Sequence, residues 1–170
     1  IEALAVELSK TPFDPLVNFN LALEYQRLNQ TASAVSFYLR TAEFGYSTHP
    51  EHVYTSLLRI ASCIYDQNNR IHTVKNVLHQ AIEYMPSRPE AWFKLAQFYE
   101  WSGDWQSCYT FAKVGRSLMG LTPVPLPADV GYNGDYMFDI EVAISAWWIG
   151  RADESRETFV KLLDNVKLPT

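Results

Sequence analysis

No stretch of this sequence approaches the roughly 18 consecutive apolar residues that a membrane-spanning helix needs, so a membrane partner is not expected. Cysteine is almost missing. Only Cys63 and Cys108 occur in 170 residues, each set singly inside an apolar helical pattern, which predicts two buried free thiols and argues against a disulfide framework. Basic residues are also sparse: 14 Lys and Arg against 19 Asp and Glu give a net charge of -5. The few cations are scattered and form no stripe that could neutralise a phosphate backbone, which argues against nucleic acid as a partner. No segment reads as a credible strand, so the Gly-rich loops that cradle nucleotide phosphates have no scaffold and no cofactor is expected. A secretory leader is not recognisable either, and with reduced thiols this makes a cytoplasmic location the expectation.

What is present suits a compact fold. Hydrophobic residues make up 48% and charged residues 19%, too apolar and too lightly charged for a disordered chain. At this length roughly 70% of the extended chain's surface can be buried. The chain opens inside a helical pattern, "IEALAVELSK". Residues 1–10 are therefore expected to end a preceding helix, and the sequence to be a piece of a longer chain that forms one domain over 1–170.

The spacing of apolar and small residues predicts paired helices. In "AWFKLAQFYEWSGDWQSCYTFAKVGRSL", Trp92, Leu95, Ala96 and Tyr99 share one helical face, Gly103 ends that helix, and Asp104 is placed to cap the next. Cys108, Ala112 and Gly115 follow on the second helix, all small, so the two helices can approach closely. The same grammar runs through Leu21, Ala22 and Tyr25, a turn at Asn29, then Ala34, Tyr38 and Ala42. A further unit offers Leu57, Ile60, Ala61 and Ile64, a turn at Asn68 and Asn69, then Val74, Leu78 and Ala81, closing on Pro86. A last one supplies Val142, Ala143, Ala146, Gly150, Ser155 and Phe159.

The helix starts agree with one another. "THPE" at 48–51 and "SRPE" at 87–90 place Ser or Thr three residues before Glu with Pro between, the pattern of a capping box with Pro in the first turn; "DP" at 14–15 offers an Asp cap. Hairpins are predicted over about 14–45, 50–86, 88–119 and 135–166, with a proline-rich loop over 120–134 that carries Pro123, Pro125 and Pro127 and Gly120, Gly131 and Gly134. Prolines spaced by two cannot continue a helix and favour an extended path. That loop either bridges the stack or docks against a neighbour.

Constellations that could carry chemistry are weak. His72 and His79 lie about 10 Å apart along one helix, too far to share a metal, and His49 and His52 flank a helix start. Asp139 and Glu141 are two apart, so in a helix they point about 200° from each other and cannot hold one ion. No local motif orders a nucleophile and base. No catalytic, cofactor-binding or metal-binding residue is expected. Aromatics are plentiful, with 5 Trp, 10 Tyr and 9 Phe, and Trp92, Tyr99 and Phe159 are expected where adjacent helices meet.

This grammar resembles the tetratricopeptide (TPR) repeat, a small residue at the eighth position, an aromatic at the eleventh, Gly or Asn at the turn, and small and aromatic positions in the second helix. The third unit matches it best; the first has Asn18 where the family has an aromatic. The resemblance implies an all-α fold, a right-handed α-α superhelix of about four hairpins, whose concave face is lined mainly by the first helix of each. Carried onto this chain, that face would be Phe19, Leu23 and Gln26, then Leu58, Ser62 and Tyr65, then Phe93, Gln97 and Glu100, and finally Ile140, Ile144 and Trp147.

An ordered set of residues is similar to something narrower. Arg88, Glu90, Leu95 and Tyr99, then Tyr109, Phe111 and Ala112, the proline loop, and Ile144, Ser145, Ala146, Trp147 and Gly150 resemble the helical-repeat region that accompanies glycosyltransferase domains in certain bacterial and phage or large-virus proteins. In such proteins the sugar-transfer chemistry sits in a separate α/β domain, and nothing in these residues matches it. The resemblance therefore implies a non-enzymatic interaction or scaffolding module whose partner is a protein or peptide, or an adjoining glycosyltransferase domain. Two other readings stay open: repeats that complete a transferase's acceptor site, and a structural component of a virion.

Overall fold

A computed structural model describes residues 1–67, 70–118 and 124–165. The turn expected at Asn68 and Asn69, and Gly120 and Pro123 of the proline loop, lie outside the described residues. All regular structure among the described residues is helical, in the order α1 (Glu2–Lys10), α2 (Pro15–Arg27), α3 (Thr31–Phe44), α4 (Pro50–Tyr65), α5 (Ile71–Tyr84), α6 (Pro89–Trp101), α7 (Trp105–Arg116), α8 (Tyr136–Trp148) and α9 (Ala152–Asn165). The pairs α2/α3, α4/α5, α6/α7 and α8/α9 are the four hairpins that the spacing predicts. The chain groups into two compact units, Ile1–Met85 with Val124–Val130, and Pro86–Pro123 with Gly131–Thr170.

In the first unit each helix packs on the next, from α1 to α5, and α2 also touches α4. The core between them holds Leu21, Ala22, Ala34, Tyr38, Tyr54 and Ala81. In the stretch Val124–Val130, Leu126, Ala128 and Val130 are half-buried while Pro125, Pro127 and Asp129 are exposed.

In the second unit α6, α7, α8 and α9 pack in sequence and α6 also touches α8. Leu95, Ala96, Cys108, Ala112, Phe138, Val142, Ala143 and Ala146 are all sealed from solvent. Burying a Phe or Leu of this kind contributes about 1.5–3 kcal/mol. The small-residue seam is real: Gly115 lies against the ring of Phe138, and a Cβ there would collide with it. On α9 the buried stripe is Ser155, Thr158 and Leu162, whereas Phe159 is 41% exposed. The sequence-based placement of Phe159 in a seam is thus corrected. Ser155, Thr158 and Leu162 are spaced by three and then four and so line one stripe, and Phe159 lies about 100° away from Thr158.

Three hairpin turns are built alike. Asn29, Gly103 and Gly150 have φ of 57°, 74° and 80°, the left-handed region that ends helices. In each, the following amide reaches back five residues, Gln30 to the Tyr25 carbonyl, Asp104 to Tyr99 and Arg151 to Ala146, at 2.9, 3.0 and 2.8 Å. The helix starts are less uniform than the sequence suggests. Asp14 Oδ1 accepts from the amides of Leu16 and Val17 at 2.8 and 3.1 Å, and Asp104 Oδ1 accepts from Ser107 at 3.1 Å. The two expected capping boxes are not formed. The residues at the N-caps of α4 and α6 are His49 and Arg88, and neither side chain caps. Thr48 bonds the His49 ring instead, Glu90 pairs with Arg88, and Pro50 and Pro89 preset the first turns.

Candidate partner-binding surface

The first helix of each hairpin is where a repeat of this kind can present side chains, and the twelve candidate positions divide between the two units. In the first unit, Phe19 and Leu58 are each 2% exposed and are core. Phe19 meets the rings of Tyr38 and His52 edge-on, with centroids at 5.9 and 4.9 Å. Leu23 and Gln26 are half-buried, and Ser62 and Tyr65 are exposed. Gln26 is held, since its Oε1 accepts from the Tyr38 hydroxyl at 2.7 Å and from Arg59 at 3.4 Å. Burial pushes the Tyr38 hydroxyl well above its ordinary value, and it also lowers that of the His52 ring.

In the second unit Phe93 is 1% exposed, packed by the rings of Tyr132 and Phe138 at 5.6 and 5.9 Å. Gln97, Glu100, Ile140 and Ile144 are half-buried, and Trp147 is exposed. Burial raises the Glu100 carboxyl above the usual range. Three of the twelve are therefore not surface as they stand: Phe19 and Phe93 at the fifth position of α2 and α6, and Leu58 at the ninth of α4. The offset that was carried over turns the side chain only about 100° from the seam. A large residue there is covered by the helix of the neighbouring hairpin, α4 over Phe19 and α8 over Phe93.

The residues of the transferase-like set are mostly structural. Arg88 and Glu90 form a buried two-pronged ion pair, Nη2 to Oε1 at 2.6 Å and Nε to Oε2 at 3.2 Å. Leu95, Tyr99, Ala112, Ser145 and Ala146 are core, and Trp147 is the exposed aromatic among them. Asp139 and Glu141 diverge as the helix geometry demands. Asp139 pairs with Arg116 at 2.7 Å, while Glu141 accepts from the Cys108 thiol at 3.6 Å.

Sequence reasoning missed two features. Glu141 is 4% exposed, and burial, with Glu100 nearby, pushes its carboxyl up to about 7. An apolar stripe with one acid gave the only signal. Trp105 and Trp148 stack at 5.2 Å, leaving Trp148 61% exposed, and their position beside the turns at 103 and 150 could have marked them. Both thiols are buried and free. No described helix is long and apolar enough to cross a membrane.

The fold built from these hairpins is a TPR-like helical repeat. The chain is similar to the crystal structure of PilW, a type IV pilus biogenesis factor, with a TM-score of 0.70 and 19% identity over 96% of this chain and 68% of that one. It is also similar to MamA, at a TM-score of 0.71 and 14% identity over 96% and 84%. A third likeness is to a putative kinesin light chain of Podosopora anserina with nearly identical TPR-like repeats, at 0.65 and 19% over 96% and 82%. At these identities the likeness shows the fold alone. No family model matches the chain, and no curated protein matches it in sequence.

Proposed function

We propose that this chain is a non-catalytic protein-interaction module that binds a partner protein or peptide through side chains on the first helices of its hairpins. The observation that carries the reading is that, within TPR-like hairpins, Tyr65 and Trp147 stand exposed, at the last position of α4 and the twelfth of α8. Large apolar residues in such places are suited to anchor a partner. Ile144 on α8, Leu23 on α2 and Gln97 on α6 supply further, half-buried positions on first helices. The finer reading is that the partner is a glycosyltransferase domain. It is supported by the ordered set from Arg88 to Gly150, in which the exposed Trp147 stands among core residues.

The test uses the chain as bait for the proteins of its own cell, with bound species quantified. Tyr65→Ser with Trp147→Ser should cut recovery of the partner about tenfold, equivalent to about 1.4 kcal/mol, with melting unchanged. Phe93→Ser serves as a core control and should lower the melting temperature. Undiminished recovery by the double variant would sink the proposal. Turnover of a nucleotide sugar by the chain alone would overturn the non-catalytic part, and failure of a co-expressed transferase domain to bind it would remove the finer reading.

A further inference from the structure

The first unit carries a cavity of about 320 Å³ bounded by α3, α4 and α5, at the small end of the range for binding pockets and roomy enough for a single anchoring group. Its floor is Ala42, Val53 and Leu57, of which Val53 is 1% and Leu57 9% exposed. Val53 and Leu57 belong to the stripe of α4 that continues through Ile60 and Ile64. That stripe lies about 140° around the helix from the centre of Leu58, Ser62 and Tyr65, so the cavity stands apart from the surface proposed above.

One end is closed by two tyrosines. Tyr84 donates its hydroxyl to the Tyr46 carbonyl at 2.6 Å, and the rings lie 4.9 Å apart. The mouth is open, because Leu39 and Tyr46 at its edge are 53% and 64% exposed. Glu43 and Glu83 also stand at the edge, both exposed, and no Lys, Arg or His lines the cavity. Neither carboxylate has a cationic partner among the described residues.

We propose that this cavity docks a partner peptide that presents one large apolar side chain flanked by lysine or arginine. The apolar floor takes the anchor, the two unpaired carboxylates meet the flanking cations, and the Tyr46 ring offers a face to one of them. A second copy of this chain suits the site poorly, since its net charge of -5 repels the acidic rim.

The probes are labelled peptides of about twelve residues, Gly and Ser throughout except for a central Leu, Phe or Trp flanked by Lys, with a matched set flanked by Glu. Anisotropy titration of the whole chain should show the Lys set binding at least about tenfold more tightly than the Glu set, a difference of about 1.4 kcal/mol. The surface variant Glu43→Lys with Glu83→Lys should reverse that preference, Ala42→Trp should fill the cavity and abolish binding, and Tyr65→Ser with Trp147→Ser should leave it intact. Equal binding of the two sets, indifference to the charge reversal, or no binding of the Lys set by about 1 mM overturns the proposal. Loss of binding in the Tyr65 and Trp147 variant alone overturns it too, while favouring the surface on the first helices. Self-association in sedimentation that vanishes on charge reversal would assign the cavity to a second copy and equally overturn it.

Discussion

Glu141 shows what a single side chain can impose on a helical repeat. It enters the interior between α7 and α8 with the Cys108 thiol as its hydrogen-bond donor among the described residues. The unfolded chain releases this proton near the ordinary value of 4.5, the folded chain near 7. Between those values the unfolded state binds fewer protons, so stability is greatest below about 4.5 and falls as pH rises through about 7. Glu141→Gln removes the titration and keeps the shape. Melting curves of both proteins at stepped pH should therefore show the wild type losing ground to the variant across that window. A constant difference between the two would mean that the folded carboxyl is ionised throughout. Arg88 and Glu90 present the opposite case, a buried charge pair whose members satisfy each other.

At the scale of elements, two glycines separate two kinds of constraint. Gly103 ends α6 with φ of 74° and nothing within 4 Å of an added Cβ, so Gly103→Ala tests backbone handedness alone and should cost about 1–2 kcal/mol. Gly115 has ordinary helical backbone but faces the Phe138 ring. Gly115→Ala would gain helix propensity and still destabilise by about 1–3 kcal/mol through overpacking. Chemical denaturation of the two variants reads both, and an unchanged midpoint for Gly115→Ala would mean that the seam yields. The same residues explain what the sequence makes legible. Turns announce themselves because a left-handed residue is nearly always Gly or Asn, and seams do so because close helices need Cys108, Ala112 and Gly115. Side-chain exposure is less legible. Phe19 and Phe93 are first-helix positions but are covered because the neighbouring hairpin reaches over them, which no periodicity within one helix records. The cavity beneath Leu39 involves three helices, with the same consequence. The capping boxes of α4 and α6 fail because a local pattern of Thr or Ser with Glu competes with stronger partners, the His49 ring in one case and Arg88 in the other.

Over the whole molecule the charge balance of -5 sets which partners approach quickly. A cationic peptide is drawn in and an acidic one repelled, an effect that fades once the Debye length, about 10 Å at 0.1 M salt, becomes short against the protein. Stopped-flow association of the Lys-flanked probe should slow severalfold between about 0.02 and 0.5 M salt with little change in dissociation. An association rate independent of salt would show that long-range attraction plays no part. The two sulfurs add a practical handle. Cys63 belongs to the first compact unit and Cys108 to the second, both are shielded, and burial raises each thiol above its ordinary value, Cys63 to about 11. A maleimide can react with either only after its surroundings open. Two alkylation rates, read by peptide mass, thus time the transient opening of each half of the protein without any introduced label.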